Sequence, residues 1–239
     1  MKRVFKHAIS RKVANCLLLV AAGGSLLLSQ QVLPDAEDLH HDHILGIVPN
    51  YQTVTDPHKH VEPLTPTEKF RLFAKETLDP FVAVEAAAGA GLSQTDNDDP
   101  KYGYGARAYT QRFGAAVADI ASQNFFSDGL MASLLREDPR YFRMGPEFPF
   151  WRRLGHAVSR VVITRTDSGK NTFNYAGILG MSMGIALSNA YYPDASVNAG
   201  EVGKRFGTSL AGGALLNILP EFWPDIRQKF LHRRSQAQP

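Results

Sequence analysis

The chain has 239 residues, 44% of them hydrophobic and 21% charged, proportions that exclude pervasive disorder and a polytopic membrane protein. Its formal net charge is +3, from 26 basic and 23 acidic residues. Five of the basic residues, Lys2, Arg3, Lys6, Arg11 and Lys12, precede every acidic one; beyond them 21 basic residues face 23 acidic ones, a net of −2, so no nucleic-acid partner is expected.

The leader carries the strongest signal. Behind the basic residues, Val13 to Leu28 is an uncharged run of 16, the n-region and h-region order of a secretory signal. A small-x-small cleavage site is missing, because Ser29 is followed by Gln30, Gln31, Val32, Leu33 and Pro34. Left uncut, Val13 to Leu33 offers 21 uncharged residues, the length of a bilayer-crossing helix with its positive end held in the cytoplasm. Residues 1–33 are therefore expected to be a signal peptide or an uncleaved membrane anchor. The protein is expected to be exported, either periplasmic or tethered to the inner membrane. Cys16, the single cysteine, lies within this leader, which leaves the body without thiol chemistry or an intrachain disulfide.

Residues 34–64 read as an irregular linker rich in His, Asp and Pro. Five histidines, His40, His41, His43, His58 and His60, crowd there beside Asp35, Glu37, Asp38, Asp42 and Asp56. Imidazole and carboxylate together suit a divalent transition metal; the alternative is a polar, pH-sensitive spacer. No other cofactor is expected.

From residue 65 to 234 the pattern is that of an all-α, compact multi-helix bundle, with a disordered tail at 235–239. Thr65-Pro66-Thr67-Glu68 is a capping box with proline at the first helical position, predicting a helix to about Leu78. Asp79-Pro80 caps the next, expected to end at Gly91. Apolar residues at three-and-four spacing between Arg107 and Arg136 predict a helix broken at Ser127-Asp128-Gly129, with Asp128 as a new cap. Glu137 to Phe150 reads as a connector. Trp151, Leu154, Val158, Val161 and Val162 then form one side of an amphipathic surface helix whose solvated side holds Arg152, Arg153, His156 and Arg160. The 23 uncharged residues from Asn171 to Pro193 and the 15 from Phe206 to Pro220 fit buried core helices, with a membrane-embedded hairpin as the alternative.

Small residues at helical spacing, Gly180 and Gly184, then Gly203 and Gly207, predict close helix packing within the bundle or, alternatively, lateral self-association. Catalytic motifs are missing: no GxSxG, no HExxH and no phosphate loop. One dense cluster, Glu137 to Phe142, gathers two acids, Arg140 and two aromatics near the basic helix. Asp138, Arg140 and Tyr141 with Arg152 and Arg153 are the candidate ligand-binding residues, the alternative being an ion-paired structural corner.

The phrases Ile44 to Tyr51 (ILGIVPNY), Glu137 to Phe142 (EDPRYF), Thr172 to Tyr175 (TFNY), Asn189 to Pro193 (NAYYP) and Glu221 to Asp225 (EFWPD) together resemble a group of uncharacterised exported bacterial proteins. The resemblance covers most of the chain from Ile44 to Phe230, implies export and a helical body, and carries no catalytic residue. The expected role is a non-enzymatic envelope protein acting through protein or membrane-surface contacts. The alternatives are a ligand-binding module or enzyme centred on Asp138, Arg140 and Tyr141, and metal binding by the histidine-rich linker.

Overall fold

The computed structural model describes residues 43–44, 46–56 and 61–236, with side chains described to Gln228. The leader lies outside the described residues, and so do His40, His41, His58 and His60 of the expected metal cluster.

The capping box at Thr65 forms as its sequence predicts. Thr65 Oγ1 accepts from the Glu68 backbone N–H at 3.3 Å, while Glu68 Oε2 accepts from the Thr65 N–H at 2.8 Å. It starts helix α1, Pro66–Thr77. Asp79 caps α2, Pro80–Thr95, by accepting from the Phe81 N–H at 2.8 Å. This helix runs through Gly89 and Gly91, past its expected end, because Ala86 and Ala90 are buried in its packing against the next helix.

Helix α3, Ala106–Asn124, passes into a π-helix, Phe125–Met131, and then into the short α4, Ala132–Leu135, which Arg136 ends in the left-handed conformation at φ 55°. The predicted interruption at Ser127-Asp128-Gly129 is thus a widened turn within a continuous helical path. Asp128 does not start a new helix.

The expected all-α class needs correction: the chain is mostly helical but contains three small sheets. In one, β1 (His43–Ile44) pairs antiparallel with β2 (Val48–Pro49). In another, β3 (Thr53–Val54) pairs parallel with β5 (Tyr141–Phe142). The third joins β4 (Glu137–Asp138), β6 (Ile163–Thr166) and β7 (Asn171–Phe173), all antiparallel. Strands of two to four residues are too short for alternation to show in the sequence.

The remaining helices are α5, Phe150–Ser159; α6, Tyr175–Ser188; and α7, Ala199–Gln236. Helix α6 lies directly on α3 and the π-helix. A Cβ built on Gly180 would overlap the Ser127 backbone, and one on Gly184 would crowd the Gln123 backbone at 3.2 Å. Gly203 and Gly207 differ: a Cβ on either meets nothing within 4 Å, so the close approach belongs to α6 and not to α7.

The interior is unusual in composition. Its buried apolar groups are mostly alanines, such as Ala86, Ala132 and Ala157, and they share it with Lys69, Arg112, Glu137, Arg153 and Glu221. Many large apolar side chains, Leu78, Leu92, Trp151 and Leu215 among them, are exposed. The expected orientation of helix α5 is reversed in part: Trp151 is 76% exposed and Val158 and Val162 are exposed too, with Leu154 and Val161 half-buried, whereas Arg153 and Arg160 are buried, His156 Nε2 lies 2.9 Å from the Phe142 carbonyl, and Arg152 is exposed as expected. Arg153 and His156 turn inward because carboxylates and carbonyls meet them there, which repays desolvating the Arg153 guanidinium. The two uncharged stretches expected to form core helices also expose part of their apolar surface, at Leu179 and Met183 on α6 and at Leu215, Leu216 and Leu219 on α7. Among the described residues no helix is long and apolar enough to cross a membrane.

Candidate functional site

The segment from Glu137 to Phe142 is short strand, turn and short strand, and it is tied to α5 and α7 by charge. Asp138 holds Arg140 through both carboxylate oxygens, Nε at 2.9 Å and Nη2 at 2.6 Å, and Arg140 also donates to the Glu62 carbonyl at 2.8 Å. Glu221, fully buried on α7, is the hub beyond it. Its carboxylate accepts from Tyr141 Oη at 2.8 Å, Arg153 Nε at 2.8 Å and the Met144 N–H at 3.0 Å. Its carbonyl accepts from Arg143 Nε at 2.8 Å and Arg153 Nη2 at 2.6 Å, and both arginines also pair with Asp225. Burial and the adjoining Glu221 carboxylate push the Tyr141 hydroxyl well above its ordinary range.

Of the sequence-predicted binding residues, Asp138, Arg140, Tyr141 and Arg153 are therefore brought together, but each is engaged by another protein group. Arg152 is not part of the group; it is exposed and stacks over the Phe148 ring at 4.5 Å.

Behind this network lie two cavities, of about 710 Å³ and 250 Å³. Gln52, Gln123, Asn124, Asp128, Tyr141 and Asn217 border both, so the two adjoin. Asp128 comes from the π-helix, a wider turn often found at functional sites. It forms a hydrogen-bonded carboxyl pair with Glu76 of α1. Burial, and then the neighbouring charge and hydrogen bond of Asp128, hold the Glu76 carboxyl well above its ordinary range; burial pushes Asp128 up to about 6, against the lowering effect of Glu76 and Ser127. Both carboxyls line the larger cavity. On the other wall Asp119 accepts from the hydroxyls of both Tyr191 and Tyr192, and burial pushes its carboxyl up to about 6 as well.

None of these three carboxyls stands out in the sequence. Glu76 sits in an ordinary amphipathic helix, Asp119 among alanines, and Asp128 looks like a cap; only the folded chain brings Glu76 and Asp128 together across 52 positions.

These carboxyls make stability depend on pH. A carboxyl whose folded value is raised binds its proton more tightly in the native state, so its contribution is present below the unfolded value near 3.8 and is lost as pH climbs through about 6. Asp128→Asn should accordingly stabilise the protein at pH 7.5 by about 2 kcal/mol relative to the parent, and the gap should close by pH 4. Thermal melts of both proteins between pH 4 and 8 check this; a gap that does not vary with pH would contradict the buried carboxyl pair.

Among the described residues no group of three or more histidine, cysteine or carboxylate side chains could hold a metal. His43 is the one described histidine of the linker cluster, and its Nε2 lies 2.8 Å from Asp79 Oδ2, the carboxylate that also caps α2. No protein-family model, no curated protein and no solved structure matches this chain.

Proposed function

We propose that the protein is an exported envelope protein that works by lying against a membrane surface, through contact and not through catalysis. The observation that carries this reading is the outward position of Phe150, Trp151 and Val158 on α5. Further exposed apolar residues follow along the chain. Trp151 and Val158 on α5, and Val162 beyond its end, lead to Ile163, which is the register partner of Phe173; Phe173 stacks edge-on with Tyr175 at 5.0 Å; and Tyr175, Leu179 and Met183 follow at four-residue spacing on α6. An exposed apolar surface of this kind marks an interaction site, and its aromatic members are of the type that favours the membrane–water interface. Arg152 and Lys170, both exposed beside it, suit anionic head groups. Residues 13–33 would supply the export signal or a second attachment.

Trp151 supplies the test, since the chain has only two tryptophans and Trp223→Phe leaves it as the sole reporter. On vesicles with about one-third anionic phospholipid, the emission of Trp151 is expected to shift to the blue as the ring leaves water. Leu179→Ser together with Val158→Ser should abolish the shift. Emission that does not change on vesicles that nevertheless retain the protein would end the proposal, because attachment would then run through the leader alone.

A further inference from the structure

The smaller cavity contains a charge that the fold does not answer. Arg160, at the C-terminal end of α5, is only 8% exposed and lines the 250 Å³ cavity. No hydrogen bond or salt bridge joins its guanidinium to a described residue, and its favourable charge interactions, with Tyr141 and Asp138, act from beyond salt-bridge distance. This contrasts with its neighbours. Arg140 is held by Asp138 on both oxygens, Arg153 by Glu221 and Asp225, and Arg165 lies over the Phe142 ring at 4.3 Å. Burial, and after it nearby Arg165, lower its proton affinity to about 10, against the raising effects of Tyr141 and Asp138.

The carboxylates on the same wall are engaged elsewhere. Asp138 is bound to Arg140, Glu137 Oε2 accepts from the Ala176 N–H at 2.9 Å where α6 begins, and Asp128 is paired with Glu76. What remains unengaged is neutral and hydrogen-bonding. The side chains of Gln52, Gln123, Asn124 and Asn217 border the cavity and make no hydrogen bond to a described residue.

We propose that this cavity binds a small polar monocarboxylate, with Arg160 gripping the carboxylate and the amides of Gln123, Asn124 and Asn217 meeting the ligand's other polar atoms. The planar fork of a guanidinium matches a carboxylate in bidentate fashion. One unpaired cation balances one negative charge, and Glu137, Asp138 and Asp128 nearby oppose a dianion such as phosphate. Size agrees: a cavity of 250 Å³ has room for a small organic acid. This proposal is independent of membrane docking, because the cavity lies behind the Glu137–Phe142 segment and not on the apolar face.

The test is isothermal titration of the full chain, purified in mild detergent, with sodium acetate, sodium lactate, glycine and inorganic phosphate at constant ionic strength. Saturable binding is expected for lactate or acetate, at least tenfold weaker binding for phosphate, and at least a tenfold loss with Arg160→Met. Arg160→Lys, which keeps the charge but not the fork, should fall between. Should Arg160→Met fail to fold, Asn217→Leu, which narrows the cavity and removes an amide, should still weaken binding at least tenfold. No saturable binding of any monocarboxylate, tighter binding of phosphate, or undiminished binding by a folded Arg160→Met protein each overturns the assignment.

Discussion

Glu221→Ala is expected to cost about 3–5 kcal/mol, a large part of the 5–15 kcal/mol that holds a domain of this kind together. The residue is fully buried, and its side chain is the shared acceptor for Tyr141 Oη, Arg153 Nε and the Met144 N–H. Taking the carboxylate away leaves the Arg153 guanidinium buried with one acidic partner, Asp225, where it had two, and leaves a buried phenol without an acceptor. Unanswered polar groups in a low-dielectric interior cost more than the contacts they once made were worth. Glu221→Gln keeps the shape and one acceptor oxygen, so it should lose clearly less. Urea unfolding followed by circular dichroism measures both. A loss below about 1 kcal/mol for the alanine variant would mean that α5 and α7 are joined by something other than this hub.

The second large effect concerns packing. Gly180→Ala should destabilise by about 2–3 kcal/mol, because the added methyl meets the Ser127 backbone, which cannot swing aside as a side chain would. Helix α6 would have to retreat from the π-helix, carrying the wall of both cavities with it. Gly203→Ala makes the same chemical change on open helix surface and should instead stabilise by up to about 1 kcal/mol, the helix-propensity gain alone. The opposite signs are the useful readout. Equal effects at the two positions would show that propensity, not close approach, governs both.

This contrast shows how far local pattern reaches. Four small residues at equivalent spacing read alike in the sequence, since spacing reports which face of a helix they share and says nothing about whether another helix lies against it. Gly180 and Gly184 lie beneath α3 and the π-helix, while Gly203 and Gly207 face open space. The helix starts at Thr65 and Asp79 are readable because a cap is made by residues two or three positions apart. The end of α2 is not, because burial of Ala86 and Ala90 carries the helix past two glycines.

The same division holds for the site. That Glu137 to Phe142 forms a dense cluster of charge and aromatic groups is plain from composition, and Asp138, Arg140 and Tyr141 do border the smaller cavity. The partners that decide whether those groups are available come from far along the chain, Glu221 above all. Arg160, expected on a solvated helix face, is buried instead. The spacing of apolar and polar residues divides a helix into two sides and leaves open which of them meets the interior.

By itself the sequence determined the mostly helical character of the body and the capped starts of its first two helices, which depend on residues within a few positions of one another. The tertiary structure alone decided that Arg153 and Arg160 turn inward, that Glu76 meets Asp128, and that one guanidinium is left facing a cavity. Each of these depends on contacts between segments distant along the chain, and the energy of burying a charge is set by those distant partners and not by its neighbours in sequence.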